Sequence, residues 1–214
     1  MVFKRFWFWG LILLVVLSFS AVWAVEEVQP PYSFDVTAEG YAQVMFDQGY
    51  NLYQEGRKEE AIQFFIEAVS TKPNFIKAWK WLARTYQEEG MYDEAIWAWG
   101  KVLELAPDDN HAAYFREKCE NYKKYGKAAW DSFEEGIVAY QSGDYFSAIP
   151  LFEEAIRNNP EFDKAYYFLG AALIKVEDYH RAVWAFEKYL TFHPDDEKAQ
   201  YFLKVAQKGA ANLQ

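Results

Sequence analysis

Residues Ile76–Asp109 read IKAWKWLARTYQEEGMYDEAIWAWGKVLELAPDD, and this stretch decides the fold. Trp79, Leu82, Ala83 and Tyr86 recur at the three- and four-residue spacing that lines one face of a helix. Gly90 then interrupts the pattern, Tyr92, Ala95 and Trp99 restart it, and Pro107 ends it. The stretch therefore reads as two helices joined by a tight turn. Working outward, the same arrangement recurs with a 34-residue period in Ala42–Phe75, Ala129–Phe162 and Asp163–Asp196. The last of these supplies Tyr166, Leu169, Gly170, Leu173, Tyr179, Ala182, Phe186 and Pro194. The first carries Met45, Gly49, Leu52, Gly56, Ala61, Phe65, Ala68 and Pro73, and the third Gly136, Gly143, Tyr145, Ala148, Phe152, Ala155 and Pro160.

Each spacing has a physical reason. Gly49 and Gly170 allow the second helix of a pair to approach closely, where Ala61 and Ala182 present equally small surfaces. Gly56, Gly90 and Gly143 end first helices at a point where positive φ costs little only for glycine. The prolines end second helices, and the Asp residues after Pro107 and Pro194 are placed to cap the next helix. The pattern resembles the tetratricopeptide repeat family, whose signature runs Trp-x2-Leu-Gly-x2-Tyr, then Ala-x3-Phe, then Pro. That resemblance implies an all-α, helical-hairpin solenoid that binds other proteins, commonly as peptide segments in a concave groove. The third unit departs from the signature at Ser132 and Glu135, where large apolar residues are expected, which predicts a less tightly packed first helix.

A longer period of 87 residues lies above the first. It maps Phe46 onto Phe133, Tyr53-Gln54 onto Tyr140-Gln141, Lys77 onto Lys164, Trp97 onto Trp184, and Asn110–Lys124 onto Glu197–Ala211. The simplest organisation is a duplicated module of two helix pairs plus a capping helix, since a solenoid's last pair otherwise exposes an apolar face. The modules cover residues 42–126 and 127–214, with Gly126 at the break. A continuous superhelix is the alternative, with Ala128–Tyr140 acting as partner helix to Asn110–Lys124.

Before the repeats, Lys4 and Arg5 precede an uncharged run from Phe6 to Val25 that contains Ala21-Val22-Trp23-Ala24. This is the pattern of an export signal over residues 1–24, cleaved after Ala24, with an uncleaved membrane anchor as the rival. Both place the repeats outside the cytoplasm, in a periplasm or secreted. Residues 25–41, with Pro30-Pro31, read as an extended linker.

Composition narrows the function. The formal charge is −10 over 214 residues, and removing Lys4 and Arg5 with the signal makes it −12, which opposes nucleic-acid binding. The lone Cys119 has no internal disulfide partner and reads as a buried apolar residue. His111, His180 and His193 lack metal-ligand spacing, and Asp108-Asp109 and Asp195-Asp196 read as helix caps rather than paired catalytic carboxylates. No nucleophile motif or phosphate-cradling loop occurs, so the chain reads as a non-enzyme without cofactor or metal.

What remains is a surface. Helical geometry puts Phe46, Tyr50, Tyr53, Lys80, Arg84, Gln87, Tyr114 and Lys118 along the concave groove of the first module. In the second module the row is Phe133, Ile137, Tyr140, Tyr167, Ala171, Ile174, Tyr201 and Val205. The first row is aromatic and basic, the second aromatic and apolar. Some members of the family clamp a carboxylate with a Lys/Asn/Arg set; Lys80, Arg84 and Lys118 fit that role, but Phe46 and Tyr50 stand where it needs polar groups. The reading is an extracytoplasmic adaptor or scaffold that takes a protein or peptide partner in this groove. The alternative is a structural protein that self-associates through its aromatic faces, and the membrane enters only through an uncleaved N-terminus.

Overall fold

The computed structural model describes residues 37–212, which hold ten α-helices and no strand. They are α1 (Ala38–Gln54), α2 (Lys58–Thr71), α3 (Ile76–Glu88), α4 (Tyr92–Leu105), α5 (Asn110–Tyr125), α6 (Lys127–Gln141), α7 (Tyr145–Asn158), α8 (Asp163–Lys175), α9 (Tyr179–Phe192) and α10 (Glu197–Asn212). The export signal and most of the linker lie outside the described residues. Residues 38–41, assigned to the linker on sequence, form the first turn of α1 instead, because Thr37 caps it by accepting from the Gly40 N–H at 3.2 Å.

Four pairs, α1/α2, α3/α4, α6/α7 and α8/α9, pack as antiparallel hairpins, with α5 and α10 laid on the second and fourth. The turns of the first three pairs are set by Gly56, Gly90 and Gly143 at φ of 81°, 75° and 84°. The fourth uses Glu177 at φ 61°, the same address without the glycine. Caps close the helices where the prolines predict: Asp109 accepts from the Ala112 N–H at 3.0 Å and Asp196 from the Ala199 N–H at 2.9 Å. Each cap of this kind is worth roughly 1 kcal/mol.

In the first, third and fourth pairs the close approach is chiefly ring against glycine, and at Gly49 the expected alanine is there too, a Cβ standing 3.2 Å from the Ala61 carbonyl oxygen. A Cβ at Gly49, Gly136 or Gly170 would stand 2.9, 2.7 and 2.7 Å from the rings of Phe65, Phe152 and Phe186. All three rings are wholly buried, so the absent side chain is what seats them. The third pair is thus as tightly built as the first and fourth. Its polar Ser132 and Glu135 lie on the outer side of α6, which carries no stacked pair, whereas the equivalent Trp79, Leu82, Tyr166 and Leu169 are buried. The signature fails there because the array is interrupted, not because the hairpin is loose.

The core divides accordingly. One apolar cluster runs from Phe46 through Trp99 to Cys119, and a second from Tyr122 to Ala206. The division falls inside α5, whose last turn belongs to the second cluster. Tyr125 stacks on Phe162 at 3.9 Å, donates to Asp163 at 3.1 Å, and its carbonyl accepts from Asn159 at 3.0 Å. Tyr122 donates to Asp131 at 2.6 Å. Gly126 alone links α5 to α6; these two helices pack lightly, and α6 pairs with α7.

Candidate functional site

In the first module the concave row is largely self-satisfied. Glu88 accepts from Tyr53 Oη at 2.7 Å and from Arg84 Nε at 2.9 Å, and pairs with Lys58 at 2.9 Å. Burial pushes its carboxyl up, but the hydrogen bonds from Lys58, Arg84 and Tyr53 outweigh this and hold it below the ordinary glutamate value. Lys80 pairs with Asp109 at 2.5 Å, and Lys118 pairs with Glu134, which also accepts from Tyr114 Oη at 3.1 Å. Lys118 stays firmly protonated, the contact with Glu134 exceeding the opposing effect of burial. The basic character expected of this groove is therefore cancelled within the protein, which removes Lys80, Arg84 and Lys118 as a free carboxylate clamp.

Two expected groove residues are corrected to core. Phe46 is 1% exposed, its ring among Phe65 and Phe75; Phe133 is 5% exposed, among Phe152, Phe162 and Phe168. Both start on the groove side of their helices, but their long rings reach back under the surface. Tyr50 and Tyr53 are half-buried against Trp81, at 4.9 and 5.0 Å, and Arg84 lies over the same indole at 5.3 Å. Sequence reasoning passed over Trp81 and Glu88. Both lie on the groove side with Lys80 and Arg84, Glu88 one turn beyond Arg84, and that helical spacing was the available signal.

The second module presents a different surface. Its rings form a ladder across three helices: Tyr140 of α6 to Phe168 of α8 at 5.9 Å, Phe168 to Tyr167 at 5.6 Å, Tyr167 to Phe202 of α10 at 6.3 Å, and Phe202 to Tyr201 at 5.6 Å. The hydroxyls of Tyr140, Tyr167 and Tyr201 have no hydrogen-bond partner among the described residues, unlike those of Tyr53 and Tyr114. Burial raises the Tyr140 phenol above its ordinary pKa, so it remains a donor throughout the physiological range. Tyr201 is 63% exposed; Tyr140 and Tyr167 are half-buried, with Lys198 Nζ 5.8 Å over the Tyr167 ring. Ile174 is half-buried and packs against the second core, while Phe168 and Phe202, which join the tyrosines, were not anticipated.

Between the modules lies a cleft of about 540 Å³, in the range of ligand-sized pockets. Tyr114 of α5 forms one wall, and Trp130, Phe133, Ile137 and Val138 of α6 the other, with Glu134 and Glu135 at the rim. Thus Tyr114, Phe133 and Ile137, predicted for a groove, meet here rather than on the tyrosine ladder.

Among the described residues no group of three His, Cys, Asp or Glu is placed to hold a metal. Burial pushes the Cys119 thiol up to about 12, leaving it inert. His111 packs on Phe115 at 4.5 Å, and His193 Nε2 lies 2.6 Å from Asp163.

Two family models, each describing a tetratricopeptide repeat, match residues 52–119 and 133–197; neither describes a catalytic family. Among solved structures, MamA from Desulfovibrio magneticus RS-1 is 20% identical, with 80% of this chain and 92% of that one covered at a TM-score of 0.34. YrrB, titled a TPR protein with an unusual peptide-binding site, is 17% identical over 76% of this chain and 92% of that one, TM-score 0.39. The TPR2AB domain of yeast Sti1, in a complex with pHSP90, is 19% identical over 81% and 76%, TM-score 0.40. A comparison with curated proteins gives no match.

Proposed function

Because this chain belongs to the tetratricopeptide repeat family, we propose that it is a non-catalytic adaptor whose second module takes an extended segment of a partner protein along the tyrosine ladder. The observation that carries this reading is the set of unpartnered hydroxyls on Tyr140, Tyr167 and Tyr201, joined by ring contacts across α6, α8 and α10. Rigid rings offer contact area at low entropic cost, and free hydroxyls suit the N–H and C=O groups of an extended backbone. The first module serves as the base that holds the second, since the charged groups of its own groove, Lys80, Arg84 and Lys118, are already paired. The adaptor works outside the cytoplasm, a reading that rests on Lys4, Arg5, the uncharged Phe6–Val25 run and Ala24.

Tyr201 is the clean probe, because its exposure separates binding from folding; Tyr167 also touches Phe186 at 5.8 Å and carries part of the core. A photoreactive residue at position 201 in producing cells should trap one discrete partner. With that partner purified, Tyr201→Ala should weaken binding by about 1–3 kcal/mol and leave the melting temperature nearly unchanged. Unaltered affinity in Tyr201→Ala, or no discrete adduct at position 201, would return the ladder to a packing role.

A further inference from the structure

The ladder of the second module differs from a flat apolar face in its relief. Its neighbouring rings stand far from parallel: Tyr140 to Phe168 at 81°, Phe168 to Tyr167 at 77°, Tyr167 to Phe202 at 80° and Phe202 to Tyr201 at 66°. Rings that meet edge to face leave slots between them, each walled by one face and one edge. The first module makes the same kind of contact, Tyr50 and Tyr53 standing at 76° and 69° to Trp81. There the slots are closed from within, since Arg84 lies over the indole and Glu88 takes the Tyr53 hydroxyl. In the second module Ala171 stands in place of Arg84, and Lys198, whose Nζ lies 5.8 Å over the Tyr167 ring, forms no ion pair among the described residues.

The polar groups along this relief are donors whose acceptors must come from outside. The hydroxyls of Tyr140, Tyr167 and Tyr201 have no partner among the described residues, and burial keeps the Tyr140 phenol protonated. The Lys198 ammonium can only donate. The other members of the row, Ala171, Ile174 and Val205, carry no polar side chain, and the ladder includes no carboxylate or side-chain amide. An ordinary extended segment brings one N–H for every carbonyl, and N–H groups laid against rings lose water without gaining a strong acceptor. Proline brings the carbonyl and no N–H, with a flat ring that fits a slot between aromatic side chains. Resting on the reading that the ladder takes an extended segment, we propose that this segment is proline-rich and binds as a polyproline II helix. Its pyrrolidine rings fill the slots, and its carbonyls accept from the tyrosine hydroxyls and Lys198. That helix has no internal hydrogen bonds to give up and is already formed in the free segment, so binding orders little.

The test uses the full chain and three labelled peptides of equal length in fluorescence anisotropy. The first is oligoproline; the second has every other proline replaced by alanine, which restores N–H groups; the third is a proline-free Thr/Val segment. Oligoproline should bind, and the other two should bind at least ~10-fold more weakly, a difference of about 1.4 kcal/mol. Tyr201→Ala should weaken oligoproline by a similar factor, and Tyr201→Phe, which keeps the ring and loses the donor, by less. Both variants change a residue that is 63% exposed and should keep the melting temperature of the parent protein. The proposal is overturned if oligoproline does not bind, if the alanine-substituted peptide binds equally well, or if Tyr201→Ala binds oligoproline normally. Binding of the Thr/Val segment in place of oligoproline, lost in Tyr201→Ala, would overturn the proline preference while leaving the ladder as the partner site. Failure of all three peptides, together with no discrete adduct at position 201, would sink both readings.

Discussion

Replacing Gly170 and Gly100 by alanine should change stability in opposite directions, although both are glycines inside helices. On α8 a Cβ at Gly170 would stand 2.7 Å from Phe186 Cε2, 2.9 Å from Cδ2 and 3.0 Å from Cζ. The ring has nowhere to retreat: Phe186 is wholly buried, stacks on Phe202 at 5.8 Å and meets Tyr167 edge-on at 5.8 Å. Overpacking of this kind costs about 1–3 kcal/mol, against which the better helix propensity of alanine returns about 1 kcal/mol. On α4 a Cβ at Gly100 meets nothing within 4 Å, so the propensity gain stands alone there. Gly170→Ala should therefore be destabilised by up to ~2 kcal/mol and Gly100→Ala stabilised by ~1 kcal/mol. The gap between the variants, about 1–3 kcal/mol, is the packing term by itself. At roughly 2–4 °C per kcal/mol for a chain of this size, the melting temperatures should lie at least a few degrees apart. Thermal unfolding followed by ellipticity, with urea titrations as a second measure, reads both. If both variants gain equally, Phe186 does not sit against Gly170, and the pairing of helices argued from the glycines is wrong.

Glu177→Gly should gain about 0.5–1 kcal/mol in urea titrations, because Glu177 alone among the four turn residues carries a side chain at positive φ; a loss would mean its side chain supports the turn. Acid should weaken the fold in a defined window. Burial raises Glu88 and Asp163, but hydrogen bonds (to Glu88 from Lys58 foremost, to Asp163 from His193) hold both below ordinary values; Asp109 and Asp196 are lowered chiefly by Lys80 and the Ala199 N–H. Folded values below unfolded ones give stability that is present above the ordinary carboxylate range and lost as pH falls from about 5 to 2, so a flat urea midpoint across that span would contradict these contacts. N-terminal sequencing of native protein should find Val25 first, whereas Met1 on membrane-bound material would favour an anchor. Light scattering over a concentration series should give a monomer mass, and a mass rising with concentration would revive self-association.

The helix pairs were legible in the sequence because their contacts repeat: a ring at Phe65, Phe152 or Phe186 faces a glycine at a fixed distance along the chain. The groove was less so. Helical periodicity gives the direction in which a side chain leaves the backbone, and for Phe46 and Phe133 the ring travels far enough to finish in the core. Pairing of charges between helices is likewise invisible locally; Lys80 and Asp109 meet only when α3 and α5 are placed together. Arg84 with Glu88 is the exception, being one turn apart on α3. Ser132 and Glu135 were visible as departures, but whether they signalled a loose hairpin or an open outer face required knowing that the single helix α5, not a helix pair, comes immediately before α6.

The two modules share a scaffold and differ at the addresses that meet solvent. Moving 87 residues along the chain turns Lys80 into Tyr167, Arg84 into Ala171 and Gln87 into Ile174, so a polar stretch of the row becomes an aromatic and apolar one, while Glu88 becomes Lys175. The junction changes in the same way. Tyr122 and Tyr125, which grip the second core from the end of α5, become Gly209 and Asn212 on α10, and Lys118 becomes Val205. Tyr92 lies beside Tyr122 at 5.3 Å, whereas its counterpart Tyr179 presses onto Gly209, where a Cβ would stand 2.5 Å from its ring. On the proposed function these differences divide the work: the first module holds a neighbour within the chain, and the second offers its tyrosine ladder to a partner.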